Sequence, residues 1–208
     1  MSRRRRLLIV GVCVAAAALL VRLDYNWPDR KRRPQGKSEE RARAFDIGKY
    51  HGKTFTVSNV VDGDTIDIDT PDGEYEHTRI RLWGVDTPES KSPKVGVMYF
   101  GPEAAKFAKK TVLGRNVRVY LDEGNRTRGY YGRVLAYVQL ADKRFFNEVL
   151  VAEGYAYADL RFRHSHYNKY KQLESAARGQ KKGLWREVKR EQMPEWLQKK
   201  KPTLLQKK

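Results

Sequence analysis

Three strand-like runs follow one another between positions 53 and 85, and the short turns joining them constrain the fold more than any other feature. Lys53–Val61 and Thr65–Thr70 alternate as half-buried strands do, and Glu76–Val85 continues with Ile80, Leu82 and Trp83 as apolar bulk. Asp62-Gly63-Asp64 joins the first two runs. Pro71-Asp72-Gly73 joins the next pair, with proline presetting φ and glycine accepting positive φ.

Past Pro88 the sequence reads as a loop, Ser90–Phe100, and then a helix opened by Gly101-Pro102-Glu103, with proline in the first turn and a glutamate to complement the dipole. Ala104, Phe107, Ala108 and Thr111 recur at helical spacing and form its expected inward stripe, and Gly114 ends it. A fourth strand, Asn116–Leu121, a polar and basic loop from Asp122 to Arg133, and a fifth strand, Val134–Leu140, come next. Helices are expected over Asn147–Glu153 and about His164–Lys182, with Gly183 and Trp185 beyond the second. The pattern predicts an α+β, mainly β, domain: an OB-fold five-stranded β-barrel with three helices, preceded by an N-terminal hydrophobic segment.

Carboxylates cluster where the strands turn. Asp62 and Asp64 flank Gly63, while Asp86 and Glu89 bracket Thr87-Pro88, and Arg81 lies on the strand leading to Asp86. A hard cation needs oxygen ligands held on rigid backbone, and a phosphate needs guanidinium groups nearby. Taken singly, each residue has a plain structural use, as a turn aspartate, a cap, a surface charge or an ion pair.

The 208-residue chain carries a formal charge of +18, weighted toward its two ends, which suits a polyanionic partner, either nucleic acid or anionic lipid. Its single cysteine, Cys13, excludes an intrachain disulfide and a cysteine-based metal site. The histidines are His51, His77, His164 and His166, the last two read as polar residues at a helix start. Arg3–Arg6 precede an apolar run, Leu7–Val21, which as a helix would span roughly 22 Å, short of a ~30 Å hydrocarbon core. Residues 1–23 therefore read as a signal peptide or a short signal anchor, which places the domain outside the cytoplasm, secreted, periplasmic or membrane-anchored. Residues 24–50 read as a basic flexible linker, 51–187 as the folded domain, and 188–208 as a frayed basic tail in which Trp196 and Leu197 are able to dock.

Asp-Gly-Asp-Thr at 62–65, Arg81 through Val85-Asp86-Thr87-Pro88-Glu89, Gly101-Pro102-Glu103, and Tyr131-Gly132-Arg133 followed by Leu135-Ala136-Tyr137 occur in one order. Together with Asn147-Glu148 and Leu184-Trp185, they resemble the staphylococcal nuclease (thermonuclease) family over about residues 53–187. The resemblance implies calcium-dependent hydrolysis of DNA and RNA to 3′-phosphorylated products. It implies Asp64, Asp86 and the Thr87 carbonyl as calcium ligands, with Asp62 behind them. Glu89 would position or deprotonate water, Arg81 and Arg133 would hold the phosphate, and Tyr131, Leu135 and Phe162 would contact substrate. The chain departs from the family where the base binds: Leu160 and Phe162 replace two tyrosines, and Tyr130 replaces a lysine. A monomer with no obligate protein partner is expected. Two other readings are a binding module of this fold without catalysis, and a scaffold tethered to a membrane through residues 7–21 with basic tails on lipid.

Overall fold

The computed structural model describes residues 36–91 and 96–205. The Leu7–Val21 segment and the linker as far as residue 35 lie outside them, and among the described residues no helix is long and apolar enough to cross a membrane. The elements run α1 (Lys37–Tyr50), β1 (Lys53–Asp62), β2 (Thr65–Ile68), β3 (Thr78–Leu82), β4 (Val85–Asp86), α2 (Gly101–Val112), β5 (Asn116–Tyr120), β6 (Val134–Gln139), α3 (Phe146–Ala152), β7 (Tyr157–Ala158), α4 (Tyr167–Gly179) and α5 (Glu195–Lys200), with 3₁₀ turns at Gly183–Arg186 and Arg190–Gln192.

Five strands close a barrel in the order β1-β2-β3-β6-β5, which is the predicted architecture. Neighbours are antiparallel except β3 and β6, which run parallel with Arg81 opposite Leu135. Val57, Val60, Ile66, Ile80, Leu82, Val119, Val134 and Val138 share one core, the burial that drives closure. Asn147 locks α3 to the barrel. Its buried amide accepts from the Val138 N–H (3.0 Å) and donates to the carbonyls of Trp83 (3.0 Å) and Ala136 (3.2 Å). The α2 stripe is shifted by one position at its end: Val112 rather than Thr111 is buried, and Thr111 bonds back to the Phe107 carbonyl.

Two expectations are corrected. Residues 37–50 form a helix rather than a flexible linker, and what fixes it is polar. Asp46 accepts from Thr127 (2.7 Å) and pairs with Arg128, which also bridges to Asp72, while Tyr50 bonds Thr78 inside the core. The tail is not frayed at 190–200. Leu197 is fully buried with Tyr157, Leu184, Trp185 and Met193, and Lys201 pairs at 3.0 Å with Glu174, itself almost wholly buried.

His164, expected as a polar residue at a helix start, is buried and lies before the helix; α4 begins only at Tyr167. Tyr137 donates its hydroxyl proton to Asp122 (2.7 Å), so its oxygen accepts from His164 Nδ1 (3.2 Å), leaving Nε2, over Gly84, without a hydrogen-bond partner among the described residues. Gly84 has φ +76, and a Cβ there would lie 2.5 Å from that ring. Burial, helped by the His166 charge, pushes His164 down from 6.5 to about 4. The neutral form is the folded one, so stability is complete above pH 6.5 and falls as pH drops toward about 4. The wild type is expected to lose up to about 3 kcal/mol more than His164→Gln across that window, read from urea midpoints at stepped pH.

Candidate active site

The site is assembled on β3 and its two neighbours. Thr65 pairs with Arg81 across β2–β3, and the parallel β6 starts one residue after Arg133, so Asp64 and Arg133 approach Arg81 from opposite sides. β4, held by β7 in a separate two-stranded sheet, delivers Asp86 just beyond the end of β3. The β1–β2 turn closes against Thr87. Its backbone N–H donates to Asp64 at 2.8 Å, and a Cβ on Gly63 would meet the Thr87 side chain at 2.8 Å, so glycine permits the approach.

Arg81 grips both predicted cation ligands. Its Nη1 pairs with Asp64 and its Nη2 bonds Asp86 at 2.7 Å. Burial disfavours this guanidinium charge, but Asp64, Asp86 and Asp159 outweigh that and raise its pKa. Asp62 sits behind, accepting from the Gly63 N–H (2.8 Å) and the Ser90 hydroxyl (2.7 Å). Arg133 Nη1 reaches Thr65 Oγ1 at 3.5 Å, and that hydroxyl donates to Asp64 at 3.1 Å. The Arg133 Nε is buried without a hydrogen-bond partner among the described residues, and burial plus the Arg81 charge lowers its pKa.

Acid outnumbers base here. Burial and then the Asp64 charge raise Asp62; burial also raises Asp86, despite Arg81. Glu89 stands at the solvent-facing rim, where lost hydration, followed by the Asp64 and Asp62 charges, pushes it up to about 7. Asp64, Asp86 and Glu89 thus share one region with Arg81 and Arg133.

The donor set fits a hard cation. Among the described residues no three His, Cys, Asp or Glu side chains close a cage by themselves. Asp64 and Asp86 form a half-shell around a position where one cationic group, the Arg81 guanidinium, bridges both. Beside them Thr87 Oγ1 is buried without a hydrogen-bond partner among the described residues. Calcium takes six to eight oxygens, so such a half-shell leaves places for water and phosphate.

The substrate-contact residues divide. Tyr131 is exposed, with the Arg133 guanidinium 5.6 Å from its ring centre, and Tyr130 packs edge-on against it at 5.1 Å. Phe162 is 44% exposed and stacks on Trp83 (5.9 Å), with Arg126 and Arg161 over its ring at 5.4 and 5.8 Å. This stack borders a groove of about 740 Å³ walled by α1 and by Asn125. Leu135 is 5% exposed and belongs to the core under Gly129, and Leu160 is buried too, so neither offers a ligand much surface. Residues that sequence reasoning passed over are Ser90, Thr65, Arg161 and, from the tail, Trp196. Its indole Nε1 donates to Asp86 Oδ2 at 2.7 Å. An aromatic-aliphatic pair after Pro194 in an otherwise basic tail was its one signal.

A family model described as "Staphylococcal nuclease homologue" matches residues 79–187, a stretch holding Arg81, Asp86, Glu89 and Arg133 but neither Asp64 nor Trp196. The chain is 39% identical over 144 residues to a thermonuclease of Staphylococcus hyicus, which covers 69% of this chain and 82% of that protein. It is 45% identical over 107 residues to a thermonuclease of Staphylococcus intermedius, covering 51% of this chain and 60% of the relative. It is 34% identical over 132 residues to the SPbeta prophage-derived endonuclease YokF of Bacillus subtilis, of which it spans 43%. A barrel of this topology with its acidic turns and paired arginines, and similarity on this scale, place the chain in the staphylococcal nuclease family.

Proposed function

We propose that the chain is a calcium-dependent nuclease, hydrolysing DNA and RNA phosphodiesters to 3′-phosphorylated products, and that it works outside the cytoplasm behind its arginine-led apolar segment. The observation that carries this reading is the convergence of Asp64, Asp86 and Glu89 with Arg81 and an Arg133 Nε that has no hydrogen-bond partner among the described residues.

Calcium, held by Asp64, Asp86 and the Thr87 carbonyl, would neutralise a phosphate oxygen and orient the substrate. As the substrate enters, Arg81 yields its carboxylate contacts and turns its planar fork to phosphate oxygens, where Arg133 supplies a second fork. Both then favour the more highly charged transition state. Glu89 accepts the proton of the attacking water; its pKa near 7 suits a base working near neutrality. Asp62, tied to Ser90, keeps the β1–β2 turn in place. Exposed Phe162 and Arg161, with half-buried Arg126, offer a base a stacking surface that is tolerant of sequence.

Cleavage of single-stranded DNA is expected to need millimolar calcium and to stop on chelation. The test follows acid-soluble nucleotide release with and without chelator, with end-group analysis for the 3′-phosphate. Full activity in chelator defeats the calcium reading, and binding without turnover at saturating calcium leaves a non-catalytic module.

A further inference from the structure

We propose that the C-terminal helix is part of the active site and that Trp196 is a positioning residue for Asp86, holding that carboxylate in the orientation a cation requires. The proposal rests on the reading of Asp86 as a cation ligand. It concerns residues beyond the stretch matched by the family model, which ends at 187.

The two oxygens of Asp86 are held from opposite directions. Oδ1 accepts from Arg81 and so faces Asp64; Oδ2 accepts from the Trp196 indole at 2.7 Å. A carboxylate on a two-residue strand has little else to stop it rotating, and a hydrogen bond to its distal oxygen fixes the torsion. The helix bearing the indole is anchored at independent points: Leu197 in the second apolar cluster, Lys200 on the Leu160 carbonyl, and Lys201 on Glu174.

Trp196 also holds a competing cation. Arg161 stacks over its ring at 4.6 Å and is bonded to Asp159 at 2.8 and 2.7 Å, and its Nη2 stands 3.6 Å from Asp86 Oδ2. Released from the ring, that guanidinium could close on Asp86 and compete with a cation for the same oxygen. A neutral indole donor orients the carboxylate while leaving its charge to attract the metal.

The test measures calcium affinity of the full-length protein by isothermal titration calorimetry, without substrate, alongside the calcium dependence of cleavage. Trp196→Phe keeps the stacking ring and removes the donor; it is expected to weaken calcium binding about tenfold. Trp196→Ala is expected to weaken it further, and adding Arg161→Gln is expected to restore the alanine variant to the phenylalanine level. Thermal melts confirm that each variant is folded at the titration temperature; should Trp196→Ala unfold, the phenylalanine variant decides alone. Wild-type affinity in folded Trp196→Phe overturns the proposal while leaving the nuclease reading intact. A wild type that binds no calcium overturns both.

Discussion

Glu89→Gln is expected to lower turnover by about two to four orders of magnitude at saturating calcium, the usual loss when a positioned general base is removed. Calcium affinity should change little, because Glu89 is outside the Asp64–Asp86 pair. The same variant should melt at a higher temperature than the wild type in calcium-free, mildly alkaline buffer. Glu89 is held up to about 7 by lost hydration and the charges of Asp64 and Asp62. A folded-state pKa above the unfolded 4.5 means that ionising Glu89 costs the fold stability as pH rises through that range. Glutamine removes one negative charge from an acid-rich site. Single-turnover kinetics with calorimetric melts read both effects, and a variant that is both active and no more stable contradicts the assignment.

The two arginines should separate in kind. Arg133→Ala is expected to cut kcat by about a hundredfold to a thousandfold with stability near wild type. Its charge is buried beside Arg81, its nearest hydrogen bond is 3.5 Å long, and its Nε has no partner among the described residues, so the fold depends on it little. Arg81→Ala should lose both activity and stability. It would strand Asp64 and Asp86, two carboxylates packed together, at a cost of about 3–5 kcal/mol. If calcium takes the position Arg81 leaves, as proposed, it should stabilise this variant more than the wild type, an increment that grows with the ratio of free calcium to Kd. Urea titrations with calcium and with chelator decide the matter: equal calcium increments in the two proteins would show that Arg81 and the cation do not share Asp64 and Asp86.

Much of this molecule is written locally in its chain. Strand-like patterning over 53–62, 65–68, 78–82, 116–120 and 134–139 is a local signal, and each run became a barrel strand, those at 65–68 and 134–139 buried on both faces. The carboxylates and arginines were legible for a related reason: each motif sits at a strand end, so neighbouring strands bring the motifs together. Two segments were misread where tertiary contacts overrode composition. α1 buries only Asp46 and Tyr50, so no apolar stripe announced it; its partners are Arg128 and Thr127, more than eighty positions away. The tail looked like solvated charge because its few apolar residues are scattered among lysines, and the places of Trp196 and Leu197 are made by α4, the Gly183–Arg186 turn and Asp86. His164 was read by its neighbours in sequence, whereas it packs on a glycine eighty residues earlier and bonds a tyrosine of β6, and the resulting burial, with the His166 charge, lowers its pKa. The sequence by itself determined the barrel and which residues could do chemistry, because patterning and turn geometry act between near neighbours. Only the tertiary structure decided what surrounds each charge, because desolvation and pairing depend on atoms that the chain order keeps far apart.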